Sequence, residues 1–408
     1  MSDGWLHGTP FRARGFGMRV IKILGSRRRT LRKTLVVLIV FVAGIVTPFA
    51  QKLAYRTVTI RNDVPRRDTK GAIVDAHDGN LQFFDGRYYL YGTAYGRTAG
   101  YSINNRFRVY SSCDLKHWRF EGELLKQPPD GVYYRPYVVY NSATRKYVLW
   151  YNWYPKLWEG HVGVATSDTP AGPFTIVNSD VKLSKAADHP GDGSLFVDED
   201  KVAYFIYTAI GLDHSIFIER LTADYLSSSG EVSSALATGC EAPALIRNTK
   251  TYYALFDSTC CFCKDGSGAR VYTASHPFGP YKLTKNIDRD ASGSPIIHAQ
   301  QTYIAKIPTR DGSTFMWMAD RWGSRPDGIK GHDFQYWLPL QFTKDDSIEP
   351  LRPVLSWSID AIRGRRLPAQ KSVYIWPKKP DPHPIDKDVC SGAPLTPTES
   401  GAELSSND

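Results

Sequence analysis

Two carboxylates stand at the head of apolar strand-like runs, where an ionised oxygen must be solvated, paired or put to use. Asp192 opens Gly191-Asp192-Gly193-Ser194-Leu195-Phe196-Val197, and Glu241 opens Cys240-Glu241-Ala242-Pro243-Ala244-Leu245. A third acidic segment, Asp75-Ala76-His77-Asp78-Gly79-Asn80, holds a similar place earlier in the chain. Two more segments place polar groups at matching positions: Tyr133-Tyr134-Arg135-Pro136 and His298-Ala299-Gln300-Gln301. If such groups converge, they suit cleavage of a glycosidic bond. That reaction needs an acid to protonate the departing oxygen and a base or nucleophile on the opposite side. A third carboxylate near the acid raises its pKa through like-charge repulsion.

Convergence requires elements that repeat around an axis, and the chain repeats. One aromatic strand pattern recurs five times, anchored by Tyr88, Tyr147, Tyr204, Tyr253 and Phe315 at intervals of 59, 57, 49 and 62 residues. Each copy follows a short strand and a turn such as Phe84-Asp85-Gly86 or Asp198-Glu199-Asp200, a hairpin signal. A further strand follows each copy. Five such units predict an all-β, five-bladed β-propeller. The candidate residues all lie one strand upstream of the aromatic copies, at one height. The composition agrees with a strand-rich fold and with sugar-stacking surfaces, since 13% of residues are aromatic, 24 of them Tyr.

The net charge of +10 is a property of the N-terminus. Residues 1–33 carry +8, which leaves +2 for the other 375 and gives no basic groove for nucleic acid. Thr34 to Gln51 is an uncharged run of 18 residues behind Arg27, Arg28, Arg29, Arg32 and Lys33. It predicts an N-terminal transmembrane helix with a cytoplasmic tail, a single-pass type II protein of the secretory pathway, the Golgi in particular. A cleaved signal peptide and secretion form the alternative. The expected organisation is a basic tail at 1–33, an anchor at 34–51 and a stem or first strand at 52–69. The propeller then covers 70–362, followed by an extension at 363–408 expected to be largely disordered beyond 377, where it is polar and Pro-rich. Six cysteines lie in the part expected to be lumenal, and the run Cys260-Cys261-Phe262-Cys263 reads as disulfide or thiol chemistry rather than a zinc site.

The segments DAHDGN, GRYYLYGTAYG, VYSSCDLKHW, YRPYVVYNSATRKYVLWYN, GDGSLFVDEDKVAYFIYT, CEAPALIRNTKTYYALF and MADRWGSRPDG resemble glycoside hydrolase family 43. The likeness leans toward its exo-β-1,3-galactanase branch and spans roughly residues 70–345. It implies an inverting enzyme. Glu241 matches the general acid and Asp192 the carboxylate that tunes and positions it. Gln300 matches a glutamine that the branch is thought to use in place of a carboxylate base. Two departures stand out. Blade two reads Tyr134-Arg135-Pro136-Tyr137 where the branch has a sugar-binding Glu. Blade one carries Asp78 where the branch often has Gly, so Asp78, with Asp75 beside it, is a candidate base. His77, Tyr134, Arg135, Trp153, Thr259, Arg321 and Trp322 complete the candidate substrate-binding set.

The reading is therefore a membrane-anchored exo-glycosidase acting on β-galactosyl linkages, β-1,3-galactan among them, or on arabinosyl and xylosyl linkages of an oligosaccharide or polysaccharide. It requires no cofactor and assigns no metal ligands, with a structural cation in the channel as an option for His77. The altered motifs leave an inactive glycan-binding propeller as the alternative. A glycosyltransferase is set aside because Asp198-Glu199-Asp200 reads as a hairpin turn and the α/β alternation of a nucleotide-sugar fold is missing.

Overall fold

The computed structural model describes residues 54–363, apart from 158 and 187–188. The expected anchor at 34–51 lies outside the described residues, as do the basic tail and the C-terminal extension. Among the described residues no helix is long and apolar enough to cross a membrane.

The described residues form five antiparallel sheets. Blade one contains β2 (Leu81–Phe84), β3 (Arg87–Ala94), β4 (Arg106–Ser112) and β5 (Trp118–Glu123). Blade two contains β6 (Val132–Asn141), β7 (Lys146–Tyr154), β8 (His161–Ser167) and β9 (Thr175–Asn178). Blade three runs through β10 (Pro190–Val197), β11 (Ala203–Ala209), β12 (Ser215–Leu221) and β13 (Ser228–Val232). Blade four runs through β14 (Cys240–Asn248), β15 (Thr251–Ser258), β16 (Arg270–Ala274) and β17 (Lys282–Asn286). Blade five holds β18 (Gln300–Thr309), β19 (Gly312–Arg321) and β20 (Phe334–Pro339). It is extended by β1 (Ala54–Arg61) paired with β21 (Ser356–Arg363). Residues 54–61, which the sequence left as stem or strand, are thus a strand locked to the end of the propeller.

The recurring aromatic strand is the second strand of every blade, and its side chains are buried on both faces because neighbouring blades cover them. One interblade cluster joins Tyr89, Tyr91 and Phe107 of blade one to Tyr133, Val138 and Tyr151 of blade two. Another joins Ile206 and Ile218 to Leu245 and Phe256 of blades three and four. Burial of this kind is worth about 1.5–3 kcal/mol per large apolar side chain. Side-chain amides stitch the ring as well. Asn80 donates to Val138 O at 3.0 Å and accepts from Val138 N at 3.2 Å, joining blades one and two.

The innermost strands β2, β6, β10, β14 and β18 surround the axis. Four of them, β6, β10, β14 and β18, slip register against the second strand near their N-terminal ends. In blade one the segment ahead of β2 slips likewise, between the His77–Thr93 bridge and the Leu81–Leu90 pair. Bulges of this kind bend a strand and re-aim its side chains. Asp78, Arg135 and Ala242 adopt left-handed φ of 57°, 53° and 54° at these kinks. Every candidate catalytic residue lies within the kinks or next to them.

Candidate active site

Asp192 and Glu241 come from adjacent blades and meet. Asp192 Oδ2 accepts the backbone N–H of Ala242, the residue after Glu241, at 3.1 Å. Its other oxygen, Oδ1, pairs with Arg135 Nε at 2.8 Å, so blade two reaches the same point. Arg135 is buried, and Asp192 holds its charge: burial pulls the guanidinium pKa down, and Asp192 and Asp78 more than restore it. Burial pushes the Asp192 carboxyl above the usual carboxylate range; Arg135 pulls it back, and Glu241 adds to the push.

Glu241 keeps a partly open side chain. Its Oε2 accepts the N–H of Cys260 at 2.9 Å. Its Oε1 lies 3.3 Å from His214 Nδ1, an ion-pair contact without hydrogen-bond geometry. His214 sits between β11 and β12, and its pKa is raised chiefly by Glu241.

Asp78 is 6% exposed. Its backbone N–H donates to Asp320 Oδ2 at 2.8 Å, and the Tyr95 hydroxyl donates to its Oδ2. Burial lifts its pKa to about 6, with Asp320 adding to the lift and Arg135, Tyr95 and His77 opposing it. A carboxyl poised there is a base at neutral pH. Asp75 plays another part. Its oxygens accept the N–H groups of Tyr95 at 2.9 Å and Gly96 at 2.8 Å, so it holds the loop after β3 rather than offering a base.

Gln300 is fixed at both ends of its amide. Nε2 donates to Cys260 O at 2.6 Å, and Oε1 accepts from Trp322 Nε1 at 2.7 Å. Both ends of the Gln300 amide are thus engaged, one as donor and one as acceptor.

His77 is fully buried, with Nδ1 2.9 Å from Asp320 Oδ1 and Nε2 3.4 Å from Gly331 O. Burial lowers its pKa, but Asp320, with Asp75 and Asp78 behind it, raises it to about 9. Both ring nitrogens thus face acceptors within the protein. Among the described residues no group of three or more His, Cys, Asp or Glu is placed to hold a metal ion.

Tyr134 and Trp322 join the cluster. Tyr134 donates to Tyr154 OH at 2.7 Å and stacks on it at 5.0 Å, beside Tyr101. Trp322 packs 5.3 Å from the His77 ring and 5.6 Å from Tyr95. Thr259 is exposed on the shoulder beside Cys260, its N–H bonded to Gly239 O at 3.3 Å.

Two candidates go elsewhere. Trp153 stacks on Tyr133 at 5.7 Å and donates to Ser179 O at 2.7 Å inside the blade one–blade two core. Arg321 lies over the Tyr336 ring at 5.7 Å. Strand alternation explains the second case: Asp320 and Arg321 are neighbours on β19, so if one faces the site the other cannot. Asp320 is the residue the sequence reading missed, along with Tyr95, His214, Phe262 and Lys330. Asp320 was visible as the acidic member of Met318-Ala319-Asp320-Arg321-Trp322, two residues from Trp322 and so on its face.

Five polar strand heads from five sheets thus close on one cluster, with the Glu241 carboxylate, the buried Asp192–Arg135 pair and the buried Asp78 carboxyl. The family model for glycosyl hydrolases family 43 matches residues 72–319. The chain belongs to glycosyl hydrolases family 43. This family 43 propeller is a glycoside hydrolase, and among solved structures it is similar to a β-1,3-galactosidase of the family bound to galactodeoxynojirimycin. The two share 26% identity over 73% of this chain and 99% of that one, with a TM-score of 0.64. An exo-β-1,3-galactanase from Clostridium thermocellum is 26% identical over 75% of this chain and 68% of its own, TM-score 0.66. A variant exo-β-1,3-galactanase from Phanerochaete chrysosporium with β-1,3-galactotriose, 24% identical, shares the fold over 75% of this chain and 69% of its own, TM-score 0.65. No curated protein matches the chain.

Proposed function

We propose that this family 43 chain is an inverting, exo-acting glycosidase that removes terminal β-galactosyl units, with β-1,3-galactan oligomers the favoured substrate. The observation that carries the reading is the junction of three blades at Asp192, which holds Arg135 on one oxygen and the residue after Glu241 on the other. Glu241 donates a proton to the departing oxygen. Asp78 takes a proton from the water that attacks the anomeric carbon from the opposite face, so the released sugar has the inverted configuration. Asp192 and Arg135 orient the acid. Gln300 and Trp322 brace the pocket floor.

The galactosidase and galactanase neighbours support the sugar, and the E-A-P segment around Glu241 supports the acid. The basic tail and apolar run at 34–51 support a type II anchor that holds the propeller in the lumen of the secretory pathway, with the Golgi favoured.

The test is direct. The protein is incubated with aryl glycosides and β-1,3-galactan oligomers, and the first anomer released is followed by NMR. Glu241→Gln is expected to lose hydrolysis while melting like the parent. Retained turnover in that variant removes Glu241 as the acid, and release of the retained anomer removes Asp78 as a base. Tyr134, standing where the galactanase branch has a sugar-binding Glu, favours one other reading, a glycan-binding propeller. Oligomer binding without product release would establish it.

A further inference from the structure

The residues that should touch a terminal sugar are roofed. Asp78, Tyr95, Gln300 and Trp322 are all at most 6% exposed. The roof comes from the loop after β15, where Cys260 and Cys263 form a disulfide with their Cα atoms 5.7 Å apart. At its tip Phe262 takes a left-handed φ of 53°. Its ring lies 5.4 Å from Tyr95, 5.1 Å from Tyr101 and 5.0 Å from Trp322, which belong to blades one and five. The loop after β3 admits it closely: a Cβ on Gly100 would stand 2.6 Å from Phe262 Cε2. Lys330, from the loop between β19 and β20, completes the roof. Its ammonium sits 3.8 Å from the centres of both the Phe262 and Trp322 rings and 3.6 Å from Asp333 Oδ2.

The same loop grips the chemistry. The Cys260 N–H holds Glu241 and the Cys260 carbonyl holds Gln300. Phe262 is two residues away, so a movement of the tip and the placement of the acid share one short, covalently closed segment.

We propose that the Cys260–Cys263 loop is an aromatic gate: Phe262 and Lys330 close the funnel in the free protein, and Phe262 must swing out to admit a terminal sugar. The proposal rests on the glycosidase reading for its purpose but not for its detection. Closure by a ring–ring and cation–π contact suits such a part. Each contact is worth about 0.5–2 kcal/mol, enough to hold a gate and little enough to open it thermally. A binding-competent state populated at about 0.1–10% taxes apparent affinity by the same fraction.

The gate is read through Lys330. The protein is treated at pH 8 with an acylating reagent, and modification of Lys330 is followed by mass spectrometry at rising urea below the unfolding transition. Once uncovered, the amine loses the burial that lowers its pKa and returns toward the ordinary lysine range, so the small neutral fraction at pH 8 is common to parent and variant and the rates compare directly. A local gate gives a rate nearly independent of urea, because little surface is exposed by the opening. Phe262→Ala should raise that rate at least about tenfold and also raise kcat/KM on small aryl galactosides. A wild-type rate that climbs with urea as steeply as global unfolding overturns the gate, as does a Phe262→Ala rate equal to the parent's. A Phe262→Ala enzyme with lowered kcat/KM makes the ring a sugar platform and equally overturns it. If neither protein hydrolyses any glycoside, the glycosidase reading fails, while the Lys330 rates still decide the gate.

Discussion

Replacing Arg135 by Met tests the junction on which the site depends. Arg135 is 2% exposed and its Nε stands 2.8 Å from Asp192 Oδ1. At an effective dielectric of about 20, that contact carries roughly 6 kcal/mol of Coulomb attraction, most of it offset by desolvation. Removing one partner of a buried pair leaves the other uncompensated, at about 3–5 kcal/mol. Asp192 has 13% of its side chain open to water and keeps the Ala242 N–H, so the lower end applies, about 3 kcal/mol. In a domain of this size that lowers Tm by about 5 °C. The loss should depend on pH with a definite sign. Asp78 has its folded pKa raised from 3.8 to about 6, so in the parent it contributes stability at low pH that is lost as pH rises through about 6. Below that pH Asp78 is neutral and no longer needs Arg135. The Arg135→Met penalty should therefore shrink at pH 5 relative to pH 8. Differential scanning calorimetry of both proteins at the two pH values measures it. A Tm within 2 °C of the parent at pH 8, or a penalty equal at both pH values, refutes the argument that this guanidinium compensates two carboxylates.

Other outcomes follow from the same contacts. Hydrolysis should fall on the acid side with an apparent pKa of about 6, because Asp78 must be ionised to accept a proton. A kcat/KM profile flat from pH 4.5 to 7, a window set by the usual carboxylate range, would dismiss Asp78 as the base. Trp153→Phe should cost about 2 kcal/mol through the lost bond to Ser179 and the weakened stack on Tyr133. It should leave KM unchanged, and a raised KM in that variant would return Trp153 to the sugar site.

The propeller was legible because its signal is redundant. Five aromatic strands, each behind a turn, allow one periodicity to be read five times, and each blade follows the expected strand order. The positions of Asp192, Glu241, Asp78 and Gln300 at strand heads were legible for the same reason. What escaped was set by loops and by parity. His214, Phe262 and Lys330 stand on connections whose path no strand period dictates. Trp153 looked like a sugar platform because aromatic type does not tell which of two blade faces it serves. Arg321 and Asp320 are adjacent, and choosing the cation rather than the acid was a choice of the wrong face.

The register slips in four inner strands and ahead of the fifth have a bearing on how such a site changes over time. Above each kink the side chains obey one parity, and below it the interblade packing obeys the other. The two halves of a strand are thereby insulated, so the lower half can exchange one apolar residue for another without turning a carboxylate out of the funnel. Loss of a single residue at a kink would do the reverse: it would leave the blade's hydrophobic seam intact while rotating that blade's contribution away from the sugar. Small deletions at these five points are thus a short route from hydrolase to mere scaffold.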